Sequence, residues 1–341
     1  MRTLVLGATG QLGSNLVRAL LARGDQVRAL VRPSNAARTL EGLGFERVAG
    51  DLTDGGSLVR ACEGVQILYH CAGYYPSHTI PADQATTRAL TETRNVLDAA
   101  RGASVARVVF ASTLTTIGSP SDVTKLADET CLFRTRYLKN PYLMAKIAME
   151  DTVLAATKSG LPAVVVNPTA FFGPYDSKPT SGTQILMIAK RLMPVYVQGP
   201  VNVIDVRDVA VGMIRAAERG RIGERYILGN WNTTQKELNE LIARLAGVMA
   251  PLAPVPFPLA RLGAKVQDWA FRTVLRKPSP VPAFFLEMLK HMQHYDCAKA
   301  IRELDYPRSP VEQAIRDALD WFRANGYLRA WGGREAKGTR R

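Results

Sequence analysis

The stretch RTLVLGATGQLG (residues 2–13) passes from an apolar strand pattern straight into three glycines, Gly7, Gly10 and Gly13. It continues as SNLVRALLARG (14–24), where Leu16, Leu20 and Leu21 share one face at helical spacing and Gly24 supplies a stop. Strand, glycine turn and helix in that order form the opening unit of a doubly wound α/β sheet. The glycines allow a tight turn, close backbone approach to a pyrophosphate, and close packing of helix on strand. The free amides at the helix start favour phosphate charge. The spacing is GxxGxxG, one step removed from the GxGxxG dinucleotide fingerprint, and the absence of GK[ST] excludes a P-loop.

Working outward, the strand pattern recurs in QVRALVR (26–32), FERVAGD (45–51), ILYHCAG (67–73), ARVVFAS (106–112) and AVVVNP (163–168), with helical stretches between. Strands rich in Val, Ile and Leu that alternate with helices predict a parallel sheet covered on both faces, with its ligand site beyond the strands' carboxyl ends. After residue 170 the alternation loosens. Helical patterns such as GTQILMIAKRLMP and SPVEQAIRDALDWFRANG enclose short apolar strands at 195–199, 202–204 and 225–229. The expected division is a dinucleotide-binding domain over 1–170, its sheet completed by later segments, an interleaved substrate lobe over 171–330, and a basic disordered tail over 331–341.

A chain of 341 residues, 47% hydrophobic and 22% charged, buries a sizeable core without staples. Its four cysteines, Cys62, Cys71, Cys131 and Cys297, form no CxxC and read as structural thiols of a reducing compartment. With no signal-peptide pattern and no 18-residue apolar run, the expectation is a cytoplasmic protein without a transmembrane segment. The net charge of +14 is scattered along helices and concentrated only in the tail, so nucleic acid is not an expected partner; weak peripheral contact with anionic membranes fits it better. His70, His78, His291 and His294 have no carboxylate or cysteine at ligand spacing, so no metal is expected.

Two features define the expected chemistry. The second strand ends in LVRPSN, placing Arg32 where an acidic residue would bind the ribose of NAD. Arginine pairs bidentately with a 2′-phosphate, which favours NADP(H), with NAD(H) as the alternative; Ser34 and Asn35 add hydrogen-bonding groups. Asp51, after the third strand, serves either the adenine side or its own turn. Farther on, NPYLMAKIAMED (140–151) starts a helix, Asn140 capping and Pro141 in its first turn, that carries Tyr142 and Lys146 one turn apart. In a dinucleotide cleft such a lysine holds ribose hydroxyls and favours the phenolate, so that a phenol of ordinary pKa near ~10 exchanges a proton with an alkoxide. FASTLTTIG (110–118) offers Ser112, Thr113, Thr115 and Thr116 to hold the substrate oxygen.

Together GATGQLG, GDL (50–52), YHCAG (69–73), FASTLTTIG and YLMAK resemble the extended short-chain dehydrogenase/reductase superfamily, over residues 2–328. LVRPSNAARTLEGL, VVVNPTAFFGPYDSKPT, RGRIGERYILG and ALDWFRANGYL are most similar to the bacterial hopanoid-associated NAD-dependent epimerase/dehydratase-like group and its dihydroflavonol reductase and 3β-hydroxysteroid dehydrogenase relatives. The resemblance implies a Rossmann-type domain with a smaller, partly helical lobe, and a catalytic set of Tyr142, Lys146 and Thr113. Thr113 stands at the second place of a Ser-Ser pair, with Ser112 as the fallback. Cofactor contacts are implied for Gly7, Thr9, Gly10, Gln11, Leu12 and Gly13, for Arg32, Ser34, Asp51 and Leu52, and for Cys71, Ala72, Gly73, Lys146 and Pro168. A homodimer through the helices at 85–101 and 141–158 is also implied, with Met144, Met149 and Val153 partly in its interface.

The substrate end departs from the sugar-nucleotide enzymes. Where their RPxNxYGP-like segment carries a diphosphate-binding asparagine, NPTAFFGP (167–174) has Ala170, followed by Phe171 and Phe172. Tyr74 and Tyr75 follow the fourth strand and either line the nicotinamide end or stack under the sheet. The segment 251–292 reads as core and turns, as a lid over an apolar substrate, or as a membrane-facing patch. The sequence therefore favours an NADPH-dependent reductase of an apolar or aromatic ketone or aldehyde. The alternatives are a nucleotide-sugar epimerase or dehydratase with tightly bound NAD, and a non-catalytic dinucleotide sensor.

Overall fold

The computed structural model describes residues 1–73, 82–122, 124–133, 141–273 and 293–328. Tyr74, Tyr75, His78, Asn140, His291, the second part of 251–292 and the tail lie outside the described residues. The dominant sheet has seven parallel strands: β1 (Arg2–Leu6), β2 (Gln26–Val31), β3 (Glu46–Ala49), β4 (Ile67–His70), β5 (Arg107–Ala111), β6 (Ala163–Pro168) and β10 (Arg225–Leu228). Their spatial order is β3-β2-β1-β4-β5-β6-β10, so the direction of winding reverses between β1 and β4. That reversal opens the crevice in which a doubly wound sheet binds its ligand.

Period two within the strands sorts side chains onto two cores. Val5 of β1 joins Leu16, Val17 and Leu20 of α1 (Gln11–Ala22) and Val209 and Met213 of α6 (Val206–Arg219). Leu4 and Leu6 face the other way, toward α2 (Gly55–Cys62), α3 (Ala82–Gly102) and α4 (Pro141–Lys158). Met149 and Val153 of α4 are fully packed in this second core, so neither contributes to a dimer face; Met144 alone of the three is exposed.

The second lobe is built on a sheet of β7 (Ala170–Phe172), β9 (Pro200–Asp205) and β11 (Trp231–Thr234). Phe172 and Val203 pack there with α5 (Gly182–Ala189), α7 (Gln235–Ala246) and the last described helix, α10 (Val311–Ala324), through Ile185, Ile242, Ile315 and Phe322. A two-stranded pair, β8 (Val195–Tyr196) with β12 (Ala253–Pro254), precedes α8 (Phe257–Thr273), and a short α9 (Ala298–Leu304) follows. The sequence 225–229, one of the short strands after residue 170, forms β10 beside β6 and is the later segment that completes the front sheet. Tyr226, Ile227 and Leu228 are buried on both faces, as a strand inside a covered parallel sheet requires.

The three glycines of the opening turn have different jobs. Gly7 has φ +76°, and a Cβ there would lie 2.6 Å from the Ala72 nitrogen. At Gly13 a Cβ would sit 2.2 Å from the Gly7 carbonyl oxygen, inside the helix–strand contact. A Cβ at Gly10 would meet only the Gly7 oxygen, at an ordinary 3.4 Å, and Gly10 is exposed. The fold itself thus demands Gly7 and Gly13 but leaves room for a side chain at Gly10. Gly13→Ala is expected to lower stability by about 1–3 kcal/mol in urea unfolding. Gly10→Ala should unfold like the wild type while binding a dinucleotide more weakly in calorimetry.

Candidate active site

The carboxyl ends of β1, β4, β5 and β6 and the facing lobe enclose one cleft of about 1850 Å³. Of the expected site residues that are described, all but Thr116 line it: the glycine loop from Gly7 to Gly13 with Thr9, Gln11 and Leu12; Arg32, Ser34, Asp51 and Leu52; Cys71, Ala72 and Gly73; Thr113, Thr115, Tyr142, Lys146 and Pro168; and Phe171 and Phe172. The fallback Ser112 lines it as well.

At the adenosine end the turn after β2 is strapped to the glycine loop. Asn35 donates to Thr9 Oγ1 at 3.1 Å and accepts from the Ala37 amide at 2.8 Å, so its side chain shapes the turn. Arg32 and Ser34 project from that turn and are exposed. A second cation, Arg38, also exposed, lines the same end. Sequence reading missed it; the signal was a second arginine six residues after the first, across one loop. Asp51 receives the Thr53 amide at 3.0 Å and the Thr53 hydroxyl at 2.8 Å. The Thr53 amide is the chief reason its carboxyl is held below the ordinary range, helped by Arg32 and Arg88. Asp51 thus forms its own turn on the wall of the cleft.

At the catalytic end α4 aligns Tyr142, Lys146 and Glu150 at successive turns, all buried. Lys146 Nζ stands 5.9 Å from the centroid of the Tyr142 ring. Burial pushes the Lys146 amine down to about 8, and nearby Glu150 partly offsets the shift. Glu150, unremarked in the sequence, is the centre of a buried knot. One oxygen pairs with Arg225 of β10 at 3.0 Å; the other accepts from Thr116 at 2.6 Å and from Asn167 of β6 at 2.8 Å. Asn167 also donates to the Thr113 carbonyl at 3.2 Å. The knot therefore fixes Thr113 relative to the helix that bears Tyr142 and Lys146. Thr113 Oγ1 accepts from the Thr115 amide and hydroxyl at 3.4 and 3.3 Å, leaving its own proton to donate. The Ser112 hydroxyl instead faces Thr116 at 3.4 Å.

His70 packs edge-on against Phe110, and burial drops it to about 3, with Lys146 adding to the effect, so it is a neutral core residue. His294 lies 2.8 Å from the Thr233 carbonyl. All four cysteines are free thiols, and burial pushes Cys62 up to about 11. No metal-holding group occurs among the described residues.

A parallel sheet with its winding reversal over a glycine turn, and a buried Tyr–Lys pair at the rim, define an NAD(P)-dependent enzyme of the short-chain dehydrogenase/reductase class. The chain belongs to the NAD dependent epimerase/dehydratase family, whose model matches residues 3–229. It is 38% identical over 330 residues to a putative dihydroflavonol 4-reductase of Synechocystis sp., 95% of each chain being covered. It is 32% identical over 331 residues to sterol demethylase protein B of Methylococcus capsulatus, covering 96% of this chain and 100% of that one. A solved nucleoside-diphosphate-sugar epimerase from Pseudomonas aeruginosa superposes with a TM-score of 0.82 at 29% identity, covering 96% of this chain and 99% of that chain.

The depressed Lys146 amine makes a pH prediction. Between about 8 and 10.5 the unfolded chain holds a proton that the fold does not, so raising the pH through that window stabilises the fold. Lys146→Met should abolish this rise in urea-unfolding stability and gain stability at neutral pH. Glu150→Gln leaves Arg225 buried without its counter-charge and should cost about 3–5 kcal/mol in the same measurement.

Proposed function

We propose that the protein is an NADPH-dependent reductase of an apolar or aromatic ketone or aldehyde, working reversibly. The observation that carries this reading is the wall opposite Tyr142. Ala170 and Phe171 are continued there by Met187, Met193, Tyr196 and Val255. Among the described residues on this lobe's side of the cleft, the one cation is Lys178, and it is exposed. The nearest anion-binding alternative is opposed by Asp176, a buried carboxyl on the same wall whose pKa burial raises to about 6, leaving it largely ionised at neutral pH. A diphosphate held here would meet neutral donors such as Thr183, Gln184 and Asn239 but only one, exposed, cation and the Asp176 carboxylate, a charge cost that an apolar carbonyl avoids.

The bound dinucleotide supplies the hydride. Tyr142 gives its phenolic proton to the carbonyl oxygen, and the Thr113 hydroxyl orients that oxygen by donating to it. Lys146 holds ribose hydroxyls and, while charged, favours the phenolate left behind. Arg32, with Arg38 beside it, selects the 2′-phosphate of NADP(H). The reductase reading agrees with the name of the dihydroflavonol reductase relative.

A second reading has specific support: the name of the matched family and that of the Pseudomonas relative both point to a nucleotide-sugar epimerase or dehydratase. The same Tyr–Lys pair would then serve a transient oxidation with no net use of cofactor. One experiment separates the two. NADPH oxidation is followed with a panel of hydrophobic carbonyls, beside a panel of UDP- and GDP-sugars assayed for epimerisation. The proposal expects steady NADPH consumption with carbonyls, reduced about 10²–10⁴-fold in Tyr142→Phe at unchanged cofactor affinity. Sugar epimerisation without carbonyl turnover would overturn it. Arg32→Ala should weaken NADPH binding by ~1.5–3 kcal/mol and leave NADH little changed; equal wild-type affinities for the two would remove the case for Arg32.

A further inference from the structure

The exposed large hydrophobic side chains are not scattered. Of fourteen among the described residues, eight fall on two stretches, 192–195 and 249–269. These stretches are stitched together: β8 pairs with β12, the Leu252 amide donates to the Pro194 carbonyl at 2.8 Å, and the Val255 amide to the Tyr196 carbonyl at 2.7 Å. Helix α8 follows directly. Along it Leu259, Leu262, Val266 and Trp269 stand 61, 60, 56 and 63% exposed, at a spacing that puts them on one face. The patch borders the cleft, whose lining includes Leu192, Val195 and Leu259.

Charge on and beside these stretches is mainly positive, with Asp268 the one carboxylate. Lys190, Arg191, Arg261 and Lys265 are exposed. Between Asp176 and Asp205, and again between Glu240 and Asp268, the chain carries no carboxylate. Apolar side chains with a tryptophan on one helix face, flanked by four cations against the single acid Asp268, match the interface of an anionic bilayer. A second copy of this chain would bring the same cations against themselves.

We propose that the β8–β12 rim and α8 dock on an anionic phospholipid surface, so that the cleft opens at the membrane and takes its apolar carbonyl substrate from the lipid. The lipid source of substrate rests on the reductase reading; the docking itself does not. The test uses the full chain with sedimenting vesicles of phosphatidylcholine alone or mixed with phosphatidylglycerol. Binding is expected on the anionic vesicles, weaker on the zwitterionic ones, and reduced by salt. Lys265→Gln should weaken it about fivefold, the effect of one basic residue worth ~1 kcal/mol near the surface. Leu262→Ser with Trp269→Ser should abolish it; neither side chain lines the cleft. Retained circular dichroism, melting temperature and turnover of a water-soluble carbonyl would show that this double variant folds. Absence of binding by the wild type, or undiminished binding by the double variant, would overturn the proposal. So would a double variant that only converts a dimer to a monomer in sedimentation velocity. Vesicle binding that persists in a protein inactive on every carbonyl would instead overturn the reductase reading and leave the docking intact.

Discussion

The Glu150 carboxylate is the constraint on which the site depends. It lies on the helix that carries Tyr142 and Lys146, and its three partners come from the turn after β5, from β6 and from β10. A carboxylate and a guanidinium taken out of water repay their desolvation only when the remaining hydrogen-bonding sites are filled. Thr116 and Asn167 fill them here, and Arg225 also donates to the backbone carbonyl of Glu129. The arrangement is therefore favourable in one geometry and costly in others. That holds the Tyr142 helix in register with Thr113 and keeps a negative charge near an amine that burial would otherwise depress further.

The front of the molecule was legible because its constraints are local. Gly7 and Gly13 have no room for a Cβ, and Val5 and Leu6 alternate between two cores, so glycine spacing and strand period carry the fold directly. Tyr142 and Lys146 were legible for a similar reason, since four residues of helix bring them onto one face. Glu150 and Arg38 were not. The value of Glu150 comes from Arg225, 75 residues away, and pairing at that separation leaves no pattern in either segment. Which later segment joins the front sheet was not legible either, because a four-residue apolar strand such as β10 does not declare its sheet; burial on both faces decides it.

The substrate end was the least legible part, and the relatives divide over it in name. The wall there comes from β7, α5, the β8–β12 rim and α8, whose chain order says little about which side chains converge. Its apolar character and buried Asp176 favour an uncharged carbonyl over a diphosphate. The same elements continue outward as the exposed apolar rim, so pocket and surface have one chemistry.

The central claim is net hydride transfer to an external apolar carbonyl, and the most direct measurement follows the hydrogen itself. NADPH carrying deuterium at both positions of nicotinamide C4 is mixed with the protein and a hydrophobic ketone, and the products are read by mass spectrometry. The account predicts an alcohol with one deuterium at the former carbonyl carbon and an equal amount of NADP⁺. It is contradicted if the carbonyls come back unlabelled and unreduced while a nucleotide sugar is epimerised with no NADP⁺ accumulating.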